Sequence, residues 1–242
     1  MKIAIVGFGR FGQFWAKTLK PFGEVSVFNR SDQNKVAKQI GVKFEKFDRL
    51  NELRNVDLVF VSVAISATEK VMRKIGPFIG KNTIVADTCS VKVMPCKWLK
   101  NIFPNNETVG IHPMFGPDSA KNGTVGKHIV ICPLKISKKN IILIKKIFRK
   151  LGLEIIEVTP EEHDRQSAYS LALVHFLGHG LDRLCLDKIQ IKTQGFERLM
   201  ELKENVTHDS WRLFEDMQKF NSYAKEVRES FTRALREVDK QV

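Results

Sequence analysis

The sequence has no apolar run approaching the roughly 20 residues that a membrane-spanning helix needs. Its N-terminus opens on Met1, Lys2 and a strand-like segment, without the charged and apolar regions of a secretory signal. Both absences lead us to expect a cytoplasmic protein. Cysteine is scarce: Cys89, Cys96, Cys132 and Cys185 are scattered and show no CxxC spacing. That argues against a disulfide framework or a zinc site. Acidic residues are also in short supply, 27 against 40 Lys and Arg, which leaves a formal net charge of +13. An excess of that size could serve nucleic acid, but it is spread along the whole chain. In its densest stretch, Lys135 to Lys150, Ile141, Ile144, Phe148 and Leu151 recur at helical spacing. Lys138, Lys139, Lys145, Lys146, Arg149 and Lys150 occupy the other faces, which describes a solvated helix. RNP, helix-turn-helix and zinc-finger signatures are missing. Neither nucleic acid nor a membrane is expected as a partner, and the positive field suits a small anionic substrate.

What is present is 242 residues, 43% of them hydrophobic, enough for one large core or two smaller ones. The first half alternates β-rich runs with helical patterns. Strands are expected near Ile3–Val6, Val25–Phe28, Leu58–Val63, Thr83–Asp87, Thr108–Ile111, His128–Cys132 and Glu154–Val158. This alternation predicts an α/β fold, a doubly wound and mostly parallel sheet. Ser137 and Gly152 suit the two ends of the lysine-rich helix. Beyond Pro160 the strand period vanishes and only helical patterns remain. We therefore expect a nucleotide-binding domain over residues 1–158 and an all-helical domain over 159–242. The stretch from Ala168 to Leu177 leaves little polar face, so it should be buried inside its domain or against a second copy. A homodimer is the simplest account.

Gly7-Phe8-Gly9-Arg10-Phe11-Gly12 follows a strand and opens a helix, the context that a dinucleotide-binding GxGxxG requires. Gly7 would make the tight turn, Gly9 would admit the pyrophosphate to the helix N-terminus, and Gly12 would let helix and strand pack closely. At the end of the second strand an NAD enzyme usually places a carboxylate for the ribose hydroxyls. Here the sequence reads Asn29-Arg30-Ser31. A guanidinium can pair with the 2′-phosphate of NADP and Ser31 can donate to it, so NADP is the expected cofactor. An exposed loop arginine without a ligand is the plainer alternative.

Two further segments lie where strands end: Asp87-Thr88-Cys89-Ser90-Val91-Lys92, and Gly110 through Ser119, which includes His112. In open α/β sheets ligands bind at the carboxyl ends of the strands. Ser90 and His112 could therefore converge on a nicotinamide. Imidazole is the side chain best suited to accept a hydroxyl proton near neutral pH. The plain alternative is a histidine that only caps a turn before Pro113.

Together, the strand-initial GxGxxG, Ser90-Val91-Lys92 and His112-Pro113-Met114-Phe115-Gly116-Pro117 resemble the prephenate and arogenate dehydrogenase family. The resemblance extends into the helical half. His163-Asp164, Val174-His175-Phe176, Gly195 to Leu199, Glu204-Asn205 and Asp209-Ser210-Trp211 are similar to that family's dimerisation domain. It implies oxidative decarboxylation of prephenate or arogenate toward tyrosine. By that resemblance His112 accepts the ring-hydroxyl proton and Ser90 hydrogen-bonds near the same oxygen. Lys92, Arg198 and His175 become candidate substrate contacts. For Arg198 a surface-helix residue, and for His175 a satisfied core histidine, are equal alternatives. The chain departs from the family at Ala64 and Ile65, where many members carry proline. Ending at Val242, it is not expected to carry a tyrosine-sensing regulatory domain.

Two other readings compete. One is a small reductase of the pyrroline-carboxylate or β-hydroxyacid type, which would lack the motif from His112 to Pro117. The β-hydroxyacid enzymes would also need a lysine that Ala168 to Leu181 does not supply. The other is a non-catalytic NADP-sensing domain, which would need neither His112 nor Ser90.

Overall fold

The computed structural model describes all 242 residues, which form two compact units, Met1–Pro160 and Glu161–Val242. The first holds eight strands: β1 (Lys2–Val6), β2 (Glu24–Asn29), β3 (Lys43–Lys46), β4 (Leu58–Val61), β5 (Ile84–Asp87), β6 (Glu107–Pro113), β7 (His128–Pro133) and β8 (Glu154–Glu157). They make one sheet in the order β3-β2-β1-β4-β5-β6-β7-β8. Every pairing is parallel except β6 with β7. Winding proceeds outward from β1 in one direction and then, from β4, in the other. That reversal opens a crevice at the carboxyl ends of β1 and β4, where such sheets bind ligands.

Helices α1 (Arg10–Leu19), α2 (Asn34–Ile40), α3 (Ile65–Ile75), α4 (Val93–Ile102) and α5 (Lys138–Lys150) connect the strands. Ile3, Ile5, Phe60 and Ala86 of the central strands and Trp15 of α1 are buried in one core. The lysine-rich helix begins where expected: Ser137 Oγ accepts from the Asn140 amide at 3.3 Å. It is followed by Gly152 at φ +71°, a left-handed position that favours glycine.

Two strands differ from expectation. The edge strand β3 reads Lys-Phe-Glu-Lys, too charged to stand out by hydropathy. It pairs with β2 alone and needs one apolar face only. β6 runs two residues past Ile111, because antiparallel pairing with β7 sets His112 opposite Val130 and Pro113 opposite Ile129. His112 therefore sits on a strand end rather than in a loop.

The second unit is helical: α6 (Pro160–Ser167), a π-helical stretch over Ala168–Leu173, α7 (Val174–Asp182), α8 (Gln194–Thr207), α9 (Trp211–Phe220) and α10 (Ala224–Asp239). Thr193 and Ser210 cap α8 and α9 through their hydroxyls. Asn221, after α9, donates to the Asp164 carbonyl at 2.8 Å and ties that end of α9 to α6. Ala168, Ala172 and His175 are buried as expected, but Leu171, Leu173, Val174, Phe176 and Leu177 are only half-buried and Tyr169 is exposed. No helix is long and apolar enough to cross a membrane.

Candidate active site

The glycine loop has a separate steric reason for each glycine. Gly7 adopts φ +108°, and a Cβ there would lie 2.1 Å from the Ser62 carbonyl oxygen. A Cβ on Gly12 would lie 2.1 Å from the Gly7 oxygen, so only glycine lets α1 pack this closely on the loop. Around Gly9, which caps α1, a Cβ would meet nothing within 4 Å. The first and third positions shape the turn, while the middle one faces open space at a helix N-terminus. That is the cradle a pyrophosphate requires. The phenylalanines of the motif serve the fold instead. Phe8 is fully buried, and Phe11 stacks on Trp15 at 5.8 Å between ring centroids. Their expected contact with the cofactor is therefore limited to the backbone. Arg10 makes a two-pronged ion pair with Asp118, at 2.9 and 2.8 Å, joining this loop to the segment after β6.

At the end of β2, Asn29 Oδ1 accepts from the Phe8 amide at 3.4 Å, and its Nδ2 donates to Ser31 Oγ at 2.9 Å. Asn29 thus orients both the glycine loop and the serine. Arg30 is exposed and makes no ion pair in the structure. Sequence reading overlooked Asp32, a carboxylate two residues on. It accepts from the Asn34 amide at 3.0 Å and pairs with Lys46 at 3.3 Å. Those contacts hold its carboxyl below the ordinary value, with the backbone hydrogen bond from Asn34 as the leading cause.

Ser90 follows β5 and His112 lies near the end of the adjacent β6, strands in which Asp87 is in register with Gly110. Ser90 Oγ is buried and has no hydrogen-bond partner in the protein. His112 is 6% exposed. Lys92 requires a correction. Expected as a substrate contact, it is fully buried, its ammonium bonded to Asp87 and to the Ile111 carbonyl at 2.7 Å. A lysine without exposed surface, held by a carboxylate, cannot reach a substrate. Burial, the largest single influence, would lower its pKa, but the Asp87 charge and hydrogen bond together with the neighbouring Cys96 and Cys89 outweigh it and hold the ammonium above the ordinary lysine value. Asp87 was not singled out from the sequence. The available signal was a carboxylate ending the apolar run Ile84-Val85-Ala86.

His175 and Arg198 belong to the second unit. His175 is buried, its Nδ1 unpartnered. Asp209 Oδ2 lies 3.9 Å from Nε2, beyond hydrogen-bond range. Burial, reinforced by the neighbouring His179, pushes its pKa down to about 4, so the ring is neutral at physiological pH. Arg198 is exposed on α8. No cluster of three metal-ligating side chains exists. Two clefts of about 470 and 510 Å³ lie at the opposite, amino-terminal edge of the sheet, both lined by Lys2, Gly23, Glu24 and Asn55. They share no residue with the site.

A mostly parallel sheet with a glycine cradle after β1, an anion-suited loop after β2, a serine after β5 and a buried histidine at the end of β6 defines a Rossmann-type dinucleotide-binding protein with a helical second unit. Comparison with known proteins narrows this class. Residues 15–157 match the model for the prephenate dehydrogenase nucleotide-binding domain, and residues 180–242 match a TYRAAT1-like C-terminal domain. The chain belongs to the prephenate/arogenate dehydrogenase family. It is 32% identical to Arogenate dehydrogenase 2, chloroplastic, of Arabidopsis thaliana, covering 100% of this chain and 70% of that protein. Identity to Arogenate dehydrogenase 1, chloroplastic, of the same plant is 34% over 96% of this chain, which spans only 37% of that relative. In fold it resembles the A. aeolicus prephenate dehydrogenase solved with hydroxyphenyl propionate and NAD+. The TM-score there is 0.82 at 20% identity, covering 99% of this chain and 90% of the other.

Proposed function

We propose that the protein oxidatively decarboxylates prephenate or arogenate with NADP, in tyrosine biosynthesis. The observation that carries this reading is the buried, unpartnered Ser90 hydroxyl on the strand end next to that of His112, at the carboxyl edge of a dinucleotide-binding sheet. An orphaned buried hydroxyl costs roughly 1 to 3 kcal/mol unless a ligand completes its hydrogen bonds. A substrate hydroxyl would do so. His112 then accepts the proton of that hydroxyl, and Ser90 orients the oxygen while it becomes a carbonyl. A dinucleotide with its pyrophosphate at the glycine cradle would supply the nicotinamide as hydride acceptor. The bond to the ring carboxylate breaks, its electron pair completes the aromatic ring, and carbon dioxide leaves. Arg198, exposed and without an ion pair, offers a guanidinium to a substrate carboxylate, and neutral His175 can donate or accept a hydrogen bond.

The preference for NADP rests on Arg30, which is exposed, unpaired and next to Ser31, while the nearby Asp32 is engaged by Lys46 and a backbone amide. We also infer a homodimer through the second unit. Half-buried Leu173, Phe176 and Leu177, with Leu235 and Val238 of α10 at 54% and 59% exposure, leave apolar surface that a second copy would cover. The enzymatic reading is tested by mixing the pure protein with prephenate or arogenate and with NAD or NADP, recording reduced nicotinamide. Formation of it with either ring acid supports the reading. No formation in any of the four mixtures overturns it.

A further inference from the structure

The one fully buried ion pair of the first unit joins two strand ends that the proposed chemistry needs at a fixed separation. Asp87, the last residue of β5, spends both carboxylate oxygens on neighbouring backbone. Oδ2 accepts from the Cys89 amide at 3.0 Å, and Oδ1 accepts from the Ile111 amide at 3.4 Å. Lys92 Nζ donates to Asp87 Oδ2 and also to the Ile111 carbonyl at 2.7 Å. The backbone immediately before Ser90 is thus bonded to Asp87, and the backbone immediately before His112 to both Asp87 and Lys92. On the far side of the strand, a Cβ on Gly110 would lie 3.4 Å from Lys92 Cδ and 2.5 Å from Cys96 Sγ, so the lysine stem is confined as well.

Stability does not explain this arrangement. Taking two charges out of water costs several kcal/mol per ion, and apolar replacements of the same volume are often neutral or stabilising. Direct catalysis does not explain it either, since both side chains have no exposed surface. What the pair does supply is geometry: three hydrogen bonds from the two side chains reach Cys89 and Ile111, one residue from Ser90 and His112 respectively.

We propose that Asp87 and Lys92 are positioning residues for the dehydrogenase reaction, a buried clamp that fixes Ser90 relative to His112 across β5 and β6. This rests on the reading of Ser90 and His112 as the reacting pair. Displacement of a catalytic group by about 1 Å costs on the order of a hundredfold in rate. Removing the clamp therefore lowers kcat while leaving NADP binding at the glycine loop intact.

The test uses three double variants of the full chain, each free of a lone buried charge. Asp87→Asn/Lys92→Gln keeps one acceptor oxygen at position 87 and an amide donor for the Ile111 carbonyl, and is expected to retain the highest kcat of the three. Asp87→Asn/Lys92→Met loses the donor to the Ile111 carbonyl, and Asp87→Leu/Lys92→Met loses every bond. Both are expected to lose about tenfold to a hundredfold in kcat with the KM for NADP unchanged. Equal kcat in the Gln and Met partners, or wild-type kcat in the Leu/Met variant, would overturn the clamp. Should Leu/Met not fold, the two Asn variants decide between the same outcomes. His112→Asn is run alongside. If it is as active as wild type, the reading of the reacting pair has failed and the clamp falls with it. If it is inactive and the Met variants are unimpaired, only the clamp is wrong.

Discussion

Exchanging His112 for Asn keeps a polar group of similar size and removes the base. General-base catalysis contributes roughly 10² to 10⁴ in rate, so kcat is expected to fall by that factor with the KM for NADP unchanged. Steady-state kinetics on the two proteins decide it, and retention of most activity would pass the proton to another group, with His175 next in line. Arg30→Ala is expected to weaken NADP by about ten- to hundredfold and leave NAD nearly unchanged, the scale of one charge-assisted bond. Equal losses for both nucleotides in fluorescence titrations would instead tie Arg30 to the fold. For His175 the pH sign follows from burial. Its folded pKa, about 4, lies below the ordinary 6.5, so the unfolded chain binds the proton first as pH falls. Its contribution is complete above about pH 6.5 and is lost progressively toward pH 4, by about 3 kcal/mol at most. Thermal melts of wild type and His175→Gln across that window should converge as the pH drops. A parallel offset at every pH would contradict this. At this scale Gly7, Gly9 and Gly12 were legible, because their roles are steric and local. The Asp87–Lys92 pair was not, because Lys92 read as a candidate substrate contact and only the strand pairing brings Ile111 beside it.

Among the elements, two glycines set distances that no other residue permits. Gly12→Ala would push a methyl against the Gly7 carbonyl, backbone on backbone, so α1 must withdraw from the loop. We expect about 1 to 3 kcal/mol of destabilisation, in the range of overpacked cores, with loss of nucleotide binding in the same titrations. Unchanged affinity would show that the loop tolerates the shift. Gly178 plays the same part between α7 and α8, where a Cβ would stand 2.0 Å from Val206 Cγ2. Gly178→Ala should therefore speed amide hydrogen exchange in α7 and α8 while strands β1 to β6 keep wild-type protection. The alternation of strands and helices and the helical second half could be anticipated from period alone, since central strands such as Leu58-Val59-Phe60-Val61 are apolar throughout. Strand β3 could not, because a four-residue charged edge carries almost no hydrophobic signal. The end of β6 was misplaced because antiparallel pairing with β7, a long-range fact, extends it through His112.

At the scale of the whole molecule, the chain holds a nucleotide-binding sheet unit and a helical unit. The inferred dimer is checked by sedimentation at micromolar concentration, where a species of twice 27.7 kDa is expected. A lone 27.7 kDa species would remove the second copy from the account. The charge of +13 is spread over the chain, so it adds a general attraction for anions without marking a docking face. The central claim is that this protein oxidises a cyclohexadienyl acid with NADP. The measurement that tests it most directly is the initial rate of reduced-nicotinamide formation with prephenate and with arogenate, each paired with NAD and with NADP. The account predicts turnover with at least one of the two acids, faster with NADP. Tight NADP binding without turnover of either acid, or a clear preference for NAD, would contradict it.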